Sequence, residues 1–328
     1  MKKHVSILIP AGHTSLVNIV GTHQIFNQVN DFMAMQGMEP LFEVELVGLS
    51  IPTNLTNGLF SVNPTRIIDD IKKTDLIIIP AIHDEPGNID ESNKDFIPWL
   101  KRHYKDGAEI ASLCVAAFFL ASTGLLDGKQ CSTHWIQADN FRKMYPQVQL
   151  VDDKIMTEDS GIYTSGGAYS FLNLLLYLIE KYTGREIAVL TAKTFMIDIE
   201  KDSQSPFIIF EGQKDHRDEP VKKVQEFIEN NFEDKINVEQ LAGMFALSRR
   251  TLERRFKSAT SNTISEYIQR VKMEVAKRSL ESSTKNVNEV MFDVGYNDTK
   301  AFRSTFKKVT GLSPVAYKKK FNSIGAGA

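Results

Sequence analysis

Two helix-turn-helix patterns of one design stand about fifty residues apart near the end of this chain, and no other feature restricts its fold as much. The first covers 238–257, VEQLAGMFALSRRTLERRFK, and the second 287–308, VNEVMFDVGYNDTKAFRSTFKK. Each opens with a short apolar helix, carried by Leu241, Ala242 and Phe245 in the first and by Val290, Met291 and Val294 in the second. A tight turn follows, then a second helix rich in Arg and Lys. In such a motif the second helix enters the DNA major groove while the first braces it across the backbone. Two units in one chain can read two successive turns of one DNA face without a partner. The pattern implies a DNA-binding regulator.

Charge divides the chain in the same place. The formal net charge is −2, yet residues 221–328 hold 20 Lys and Arg against 12 Asp and Glu, so they carry +8 and the rest −10. A basic module joined to an acidic one suits a polyanion-binding unit attached to a domain that does not touch DNA. Cys114 and Cys131 are the only two cysteines, too few for a disulfide framework and in keeping with a reducing compartment. The opening MKKH then VSILIP is basic then apolar, but too short for a signal segment, so it reads as a first strand. The longest unbroken apolar stretch, 113–121, falls far below a membrane span. A cytoplasmic protein without a membrane partner is expected. No His-x-x-His or Cys-x-x-Cys occurs, so neither a metal site nor a cofactor is expected.

Residues 1–210 alternate short apolar runs with helical spacing. Segments 5–10, 42–49, 76–80, 109–113 and 161–164 read as strands bounded by Gly, Pro or polar turns. Segments 18–35, 95–104, 116–123, 135–145 and 168–182 carry helical spacing of apolar residues. Such alternation predicts an α/β domain, a flavodoxin-like parallel sheet sandwiched between helices. Residues 211–220, EGQKDHRDEP, lack apolar periodicity and read as a linker. From 221 to about 321 the patterning is helical with no convincing strand, which gives an all-α double helix-turn-helix domain over 221–328.

In the first unit Ser248 suits the N-cap of the second helix, since its hydroxyl can accept from a free N–H of the first turn. Leu252 and Phe256, at i and i+4, face the core, which leaves Arg249, Arg250, Glu253, Arg254 and Lys257 for DNA. Arg is shaped to bond both acceptors of guanine. Glu253 either accepts from a cytosine amino group or tunes the charge. An ordinary solvated basic face is the rival, and the coincidence of basic residues, turn and repeat weighs against it. In the second unit Asp298 is the expected N-cap and Phe302 with Phe306 the core pair. Thr299, Lys300, Arg303 and Ser304 then face DNA, with Lys307 and Lys308 nearer phosphates. Phosphate contacts fix register without reading bases, so this helix should position more than it discriminates. Gly295 falls in the second turn, where a positive φ suits glycine. The matching place in the first lies near Ala246 and Leu247, so the turns need not be identical. Lys318, Lys319 and Lys320 read more simply as a solvated run than as a DNA contact.

LAGMFALSRRTLERRFK, RVKMEVAKRSLES and VGYNDTKAFRSTFKKVTGLSPVAYKK together resemble the AraC family of transcriptional regulators over almost all of 221–321. The most specific element is the closing run of Phe306, Lys307, Thr310, Gly311, Ser313, Pro314 and Tyr317. Lys272 stands where that family usually has Arg, and 260–263 has Ser-Asn where it usually has Gly. The resemblance implies double-stranded DNA as a partner, with RNA polymerase as a further one.

The runs IASLCVAAFFLASTGLLDGKQCSTHW (110–135), YPQVQLVDDKIMTEDSGIYTSGGAYSFLNLLLYLIEKYTG and QSPFIIF (204–210) resemble the PfpI-type branch of the class I glutamine-amidotransferase superfamily. The coverage is about 5–210. With an AraC-type tail, this is the order of the GlxA-type subgroup of regulators. The resemblance implies a strand-to-helix elbow with Cys114 at its apex, Val115 beside it and His134 near the pocket. In the superfamily the helix dipole there lowers the thiol pKa. Two departures count against catalysis. Aligned on Gly21, the family acid is replaced by Asn18, and a neutral amide cannot serve as a carboxylate base. The elbow Gly is replaced by Ala116. Asn18, Cys114, Val115 and His134 are therefore expected to line an effector pocket with no catalytic residue. By residue type alone Cys114 reads as a small buried side chain and His134 as a ring packed on Trp135. Gly166-Gly167 reads equally as an anion-facing turn or a tight strand-to-helix connection.

These readings combine into a sequence-specific DNA-binding regulator: 1–210 for effector sensing or dimerisation, 211–220 as linker, and 221–328 for DNA. A small-molecule effector is implied, and a homodimer through the N-terminal domain follows from the resemblance. The rival from another class is a cysteine-dependent hydrolase or hydratase fused to a DNA-binding tail. A third reading, a ligand-free structural DNA-binder, would show no pocket at Cys114.

Overall fold

Strands that must be covered on both faces read as unbroken Val, Ile and Leu, and 76–79, Leu-Ile-Ile-Ile, is fully buried. The computed structural model describes residues 2–83, 93–199 and 202–322. The chain divides into two compact units, Met1–Gln204 and Ser205–Ala328. The first unit holds β1 (Lys3–Ile9), β2 (Phe42–Gly48), β3 (Thr53–Leu55), β4 (Phe60–Val62), β5 (Arg66–Ile67), β6 (Leu76–Ile79), β7 (Glu109–Ser112), β8 (Gln130–Cys131), β9 (Gln149–Leu150), β10 (Met156–Asp159) and β11 (Ile162–Ser165). Its helices are α1 (Leu16–Met35), α2 (Phe96–Lys105), α3 (Ala116–Ser122), α4 (Ala138–Met144), α5 (Phe171–Thr183) and α6 (Arg185–Phe195).

Seven strands form one sheet in the order β10-β11-β7-β6-β1-β2-β5, parallel except for the antiparallel β10–β11 pair. Alternation along β1 sends Ile7 and Ile9 to one face, with Phe26 of α1 and Leu174 of α5. Leu8 goes to the other face, with Trp99 of α2 and Phe119 of α3. The five expected strands are the five inner ones. The expected helix 135–145 divides into a 3-10 turn, Trp135–Gln137, and α4.

Among its described residues the second unit has no strand; after a 3-10 turn, Ser205–Phe207, and a non-helical stretch come α7 (Glu219–Asn230), α8 (Val238–Met244), α9 (Arg249–Thr260), α10 (Ile264–Ser282), α11 (Val287–Asp293), α12 (Thr299–Thr310) and α13 (Pro314–Phe321). Each of these seven helices carries a side-chain cap at its start, with capping boxes at Asn237, Thr263 and Asn286. The long helix α10 serves two cores. Ile264, Tyr267 and Val271 enter the first with Leu252 and Phe256. Met273, Ala276 and Leu280 enter the second with Phe302 and Phe306. Among the described residues no helix is long and apolar enough to cross a membrane.

The units meet in sequence at Gln204 and Ser205, ahead of the expected boundary at 210. The segment expected as a linker makes several bonds within the second unit. Lys214 pairs with Glu229 at 2.7 Å, His216 Nε2 with Gln225 Oε1 at 2.9 Å, and Gln225 donates to the Gln213 carbonyl at 3.0 Å. Asp218 caps α7 by accepting from the Val221 N–H and also receives two bonds from Arg255. Side-chain bonds of this kind have no period, so polar residues that make them look like tether.

Candidate functional site

The second helices of the two helix-turn-helix units, α9 and α12, are built alike. Ser248 caps α9 by accepting from the Thr251 N–H, and Asp298 caps α12 by accepting from the Ala301 N–H. Both had been expected as caps. Leu252 and Phe256, like Phe302 and Phe306, are wholly buried. Arg250, Glu253, Arg254 and Lys257 are exposed on α9, and Thr299, Lys300, Arg303, Ser304 and Lys307 on α12. At each C-terminal end a buried Thr closes the helix. Thr260 donates to the carbonyls of Phe256 and Asn262, and Thr310 to those of Phe306 and Leu312. A left-handed residue follows each, Ser261 at φ +59° and Gly311 at φ +75°. Ser261 thus carries in the first unit the conformation that glycine carries in the second.

The two turns also share a conformation. Ala246 has φ +52° and Gly295 φ +72°. Leu247 N–H donates to the Ala242 carbonyl and Tyr296 N–H to that of Met291, both at 3.0 Å. Asn297 makes the second turn one residue longer before its cap. Lys272 of α10, 8% exposed, donates to the Val294 carbonyl at 3.0 Å and so ties the second turn to the linking helix.

Arg249 is also exposed but is paired. It reaches Glu239 of α8, and its Nε donates to Glu253 at 3.0 Å. Two of the residues expected at DNA therefore hold one another, whereas Arg250, Arg254 and Lys257 project from the same helix. Arg255, which sequence reasoning did not select, turns back to Asp218 with two bonds of 2.8 and 2.7 Å. Its signal is the i+3 spacing from Leu252, which sets it toward the core-facing side of the helix.

In the first unit β7 ends at the elbow. Cys114 is non-glycine with φ +57° and is 1% exposed. Its N–H donates to Ser165 Oγ at 3.1 Å, and its carbonyl accepts from the Thr133 hydroxyl at 3.3 Å. Burial pushes the thiol up to about 11, against a weaker lowering by the Val115 N–H. Asn18 is 3% exposed, and its Oδ1 accepts from the Ala81 N–H at 3.0 Å, so its amide ties α1 to the end of β6. Val115 is half-buried at the start of α3, and Ala116 is wholly buried. His134 Nδ1 accepts from the Ile136 N–H at 3.2 Å, which leaves the proton on Nε2. Burial lowers its pKa, with His83 adding to the effect. Cys131 is buried, and burial pushes its thiol up to about 12. Among the described residues no group of three or more His, Cys, Asp or Glu could hold a metal ion.

Sequence reasoning overlooked Thr133, Ser165 and Gln204 around the elbow. Gln204 opens the QSPFIIF run, and its amide bonds to Thr133, Asp152, Lys154 and Gly167.

The sequence model of the DJ-1/PfpI family matches residues 5–181. The chain belongs to the DJ-1/PfpI family. A helix-turn-helix domain model matches residues 241–320, so the DJ-1/PfpI domain is followed by a helix-turn-helix domain. Among similar proteins, "HTH-type transcriptional regulator GbdR" of Pseudomonas aeruginosa is 25% identical over 232 residues, 67% of this chain and 60% of that one. The chain thus spans less than two thirds of that relative. CdhR of the same species, also named an HTH-type transcriptional regulator, is 25% identical over 266 residues, 80% of this chain and 77% of its own. GlxA of Rhizobium meliloti is 22% identical over 225 residues, 68% and 69% of the two chains. A solved putative transcriptional regulator from Vibrio parahaemolyticus superposes with a TM-score of 0.53 at 24% identity, covering 59% of this chain and 99% of that one. Drosophila melanogaster DJ-1beta gives 0.50 at 18% identity, covering 60% and 100%. These two likenesses concern the DJ-1/PfpI fold alone.

Proposed function

We propose that the chain is a sequence-specific DNA-binding transcriptional regulator whose DJ-1/PfpI unit senses a small molecule or pairs two copies and does not catalyse. The carrying observation is the duplicated exposure of α9 and α12, each capped, anchored by two buried apolar residues and basic on its open side. Arg250, Arg254 and Lys257 lead on α9; Thr299, Lys300, Arg303, Ser304 and Lys307 follow on α12. Arg249 and Glu253 join them when DNA phosphate competes for Arg249. The relatives named as HTH-type transcriptional regulators support this reading. A homodimer in the cytoplasm, with RNA polymerase as a further partner, completes the proposal.

The test is duplex DNA binding by the full chain across a salt series. Neutralising six or more phosphates gives a log–log slope of roughly −5 or steeper, from about −0.9 per phosphate. A flat response would end the DNA-binding reading.

The elbow supports a binding role over turnover. With the thiol at about 11, roughly one molecule in ten thousand carries a thiolate at pH 7. Asn18 holds no proton to give or take and is already engaged by Ala81. Cys114→Ala is expected to leave DNA affinity unchanged in the absence of effector and to blunt the response to metabolite extracts. Peroxide should leave DNA binding as it is, because the thiol is buried and neutral. Hydrolysis or hydration with multiple turnover, abolished by Cys114→Ala, would overturn the non-catalytic assignment.

A further inference from the structure

Gln204 is the last residue of the first unit and is 2% exposed. Its Nε2 donates to the carbonyls of Asp152 at 2.8 Å, Thr133 at 3.0 Å and Lys154 at 3.2 Å, two N–H groups shared among three acceptors. Its Oε1 accepts from the Gly167 N–H at 3.1 Å. Gly166 has no room for a side chain here, since a Cβ would lie 2.7 Å from Nε2. Two short routes run from this amide to the elbow. Thr133 gives its carbonyl to Gln204 and its hydroxyl to the Cys114 carbonyl. Ser165, which accepts from the Cys114 N–H, precedes the Gly166-Gly167 pair that Gln204 covers.

On its other side Gln204 leads directly into a strap, residues 205–218, held within the second unit. The Phe207 ring meets Phe321 edge-on at 5.7 Å. The Ile208 carbonyl accepts from Lys277, and the Phe210 N–H donates to Glu274 at 3.1 Å. Those two side chains pair with each other at 2.7 Å and are 6% and 9% exposed. Gly212, at φ +74°, passes so close to Tyr267 that a Cβ would lie 2.2 Å from its hydroxyl. The strap ends at Asp218, which grips Arg255 of the reading helix α9.

We propose that Gln204 is a positioning residue that ties the state of the elbow to the placement of α9 through this strap. The proposal rests on the DNA-binding reading above. A group lodged at the elbow that moves Thr133 or Gly166-Gly167 changes what Gln204 can bond. Loss of those bonds frees the first residue of the strap, whose far end orients α9 through the Asp218–Arg255 fork. Because the Gln204 amide and the Arg255 guanidinium are both spent on partners within the protein, displacing them is expected to change register and leave the number of phosphate contacts as it was.

The experiment is a double-mutant cycle in the full chain, read as affinity for a duplex that the wild type selects from a random pool. Gly166→Ala drives its Cβ against the Gln204 amide and is expected to weaken binding at least fivefold with the salt slope unchanged. In a Gln204→Ala background, where no amide remains to displace, adding Gly166→Ala should have no further effect. Arg255→Lys, which keeps the charge and loses the fork, should weaken binding of the selected duplex likewise. Should Gly166→Ala not accumulate as folded protein, Gln204→Met takes its place with the same expected loss. Folded variants that bind within twofold of wild type, or a Gly166→Ala effect that persists without Gln204, would overturn the proposal. Failure of the wild type itself to bind DNA would overturn both readings and is seen before any variant is made.

Discussion

Gly295→Ala is expected to destabilise the second unit by about 2–5 kcal/mol, combining roughly 1–2 for a left-handed non-glycine residue with roughly 1–3 for overpacking. Gly295 sits at φ +72°, and a Cβ there would lie 2.0 Å from the Glu233 carbonyl oxygen and 2.9 Å from Lys272 Nζ. A side-chain tip can swing aside, but a backbone carbonyl can only move with its loop. The melting midpoint of that unit should therefore fall by roughly 10 °C or more, and DNA binding should fall with it. The reverse change at the equivalent position gives the control. Ala246 carries φ +52° with a Cβ already present, so Ala246→Gly should be neutral or stabilise by up to about 1 kcal/mol. Urea unfolding of both variants decides the matter. A loss under about 0.5 kcal/mol for Gly295→Ala, a surface-substitution effect, would show that the turn opens more freely than its contacts indicate.

Arg254→Ala should cost about 1–3 kcal/mol on a selected duplex and relax preference at one or two base pairs, provided the guanidinium bonds guanine. Arg254 is exposed on α9 beside the core residues Leu252 and Phe256. Lys307, on the last turn of α12, should behave differently. Lys307→Ala should weaken all sequences alike and reduce the salt slope by about one. Selection from randomised sites with each variant separates base reading from phosphate contact. Matching profiles for the two variants would sink that division of labour.

The inner sheet was legible because burial on both faces forces unbroken apolar runs. β5 and β10 were not, being short strands at the sheet edges with half-exposed residues. α6 escaped because Gly184 at φ +87° ends α5 and immediately begins the next helix, and a glycine after a helical run reads as a stop. α9 and α12 were legible from caps and core pairs. The Arg249–Glu253–Glu239 cluster was not, since Glu239 lies on another helix and only folding brings it near. The elbow was legible as a position through family resemblance. Burial of Cys114, 1% exposed, agrees with the reading by residue type, but residue type does not reveal that Asn18 is spent on a backbone N–H.

The extra residue in the second turn has a bearing on the form of any target sequence. α9 packs on the N-terminal part of α10 and α12 on its C-terminal part, and Asn297 lengthens the turn before α12 by one residue. Their outward side chains differ as well, arginine-rich on one and on the other hydroxyls and lysines with the single Arg303. A reader with two unlike heads on a fixed spacing has no twofold axis within one chain. On the proposed function, the stretch read by each single chain then has a direction along the duplex, and the same bases written in reverse would be a different and poorer address.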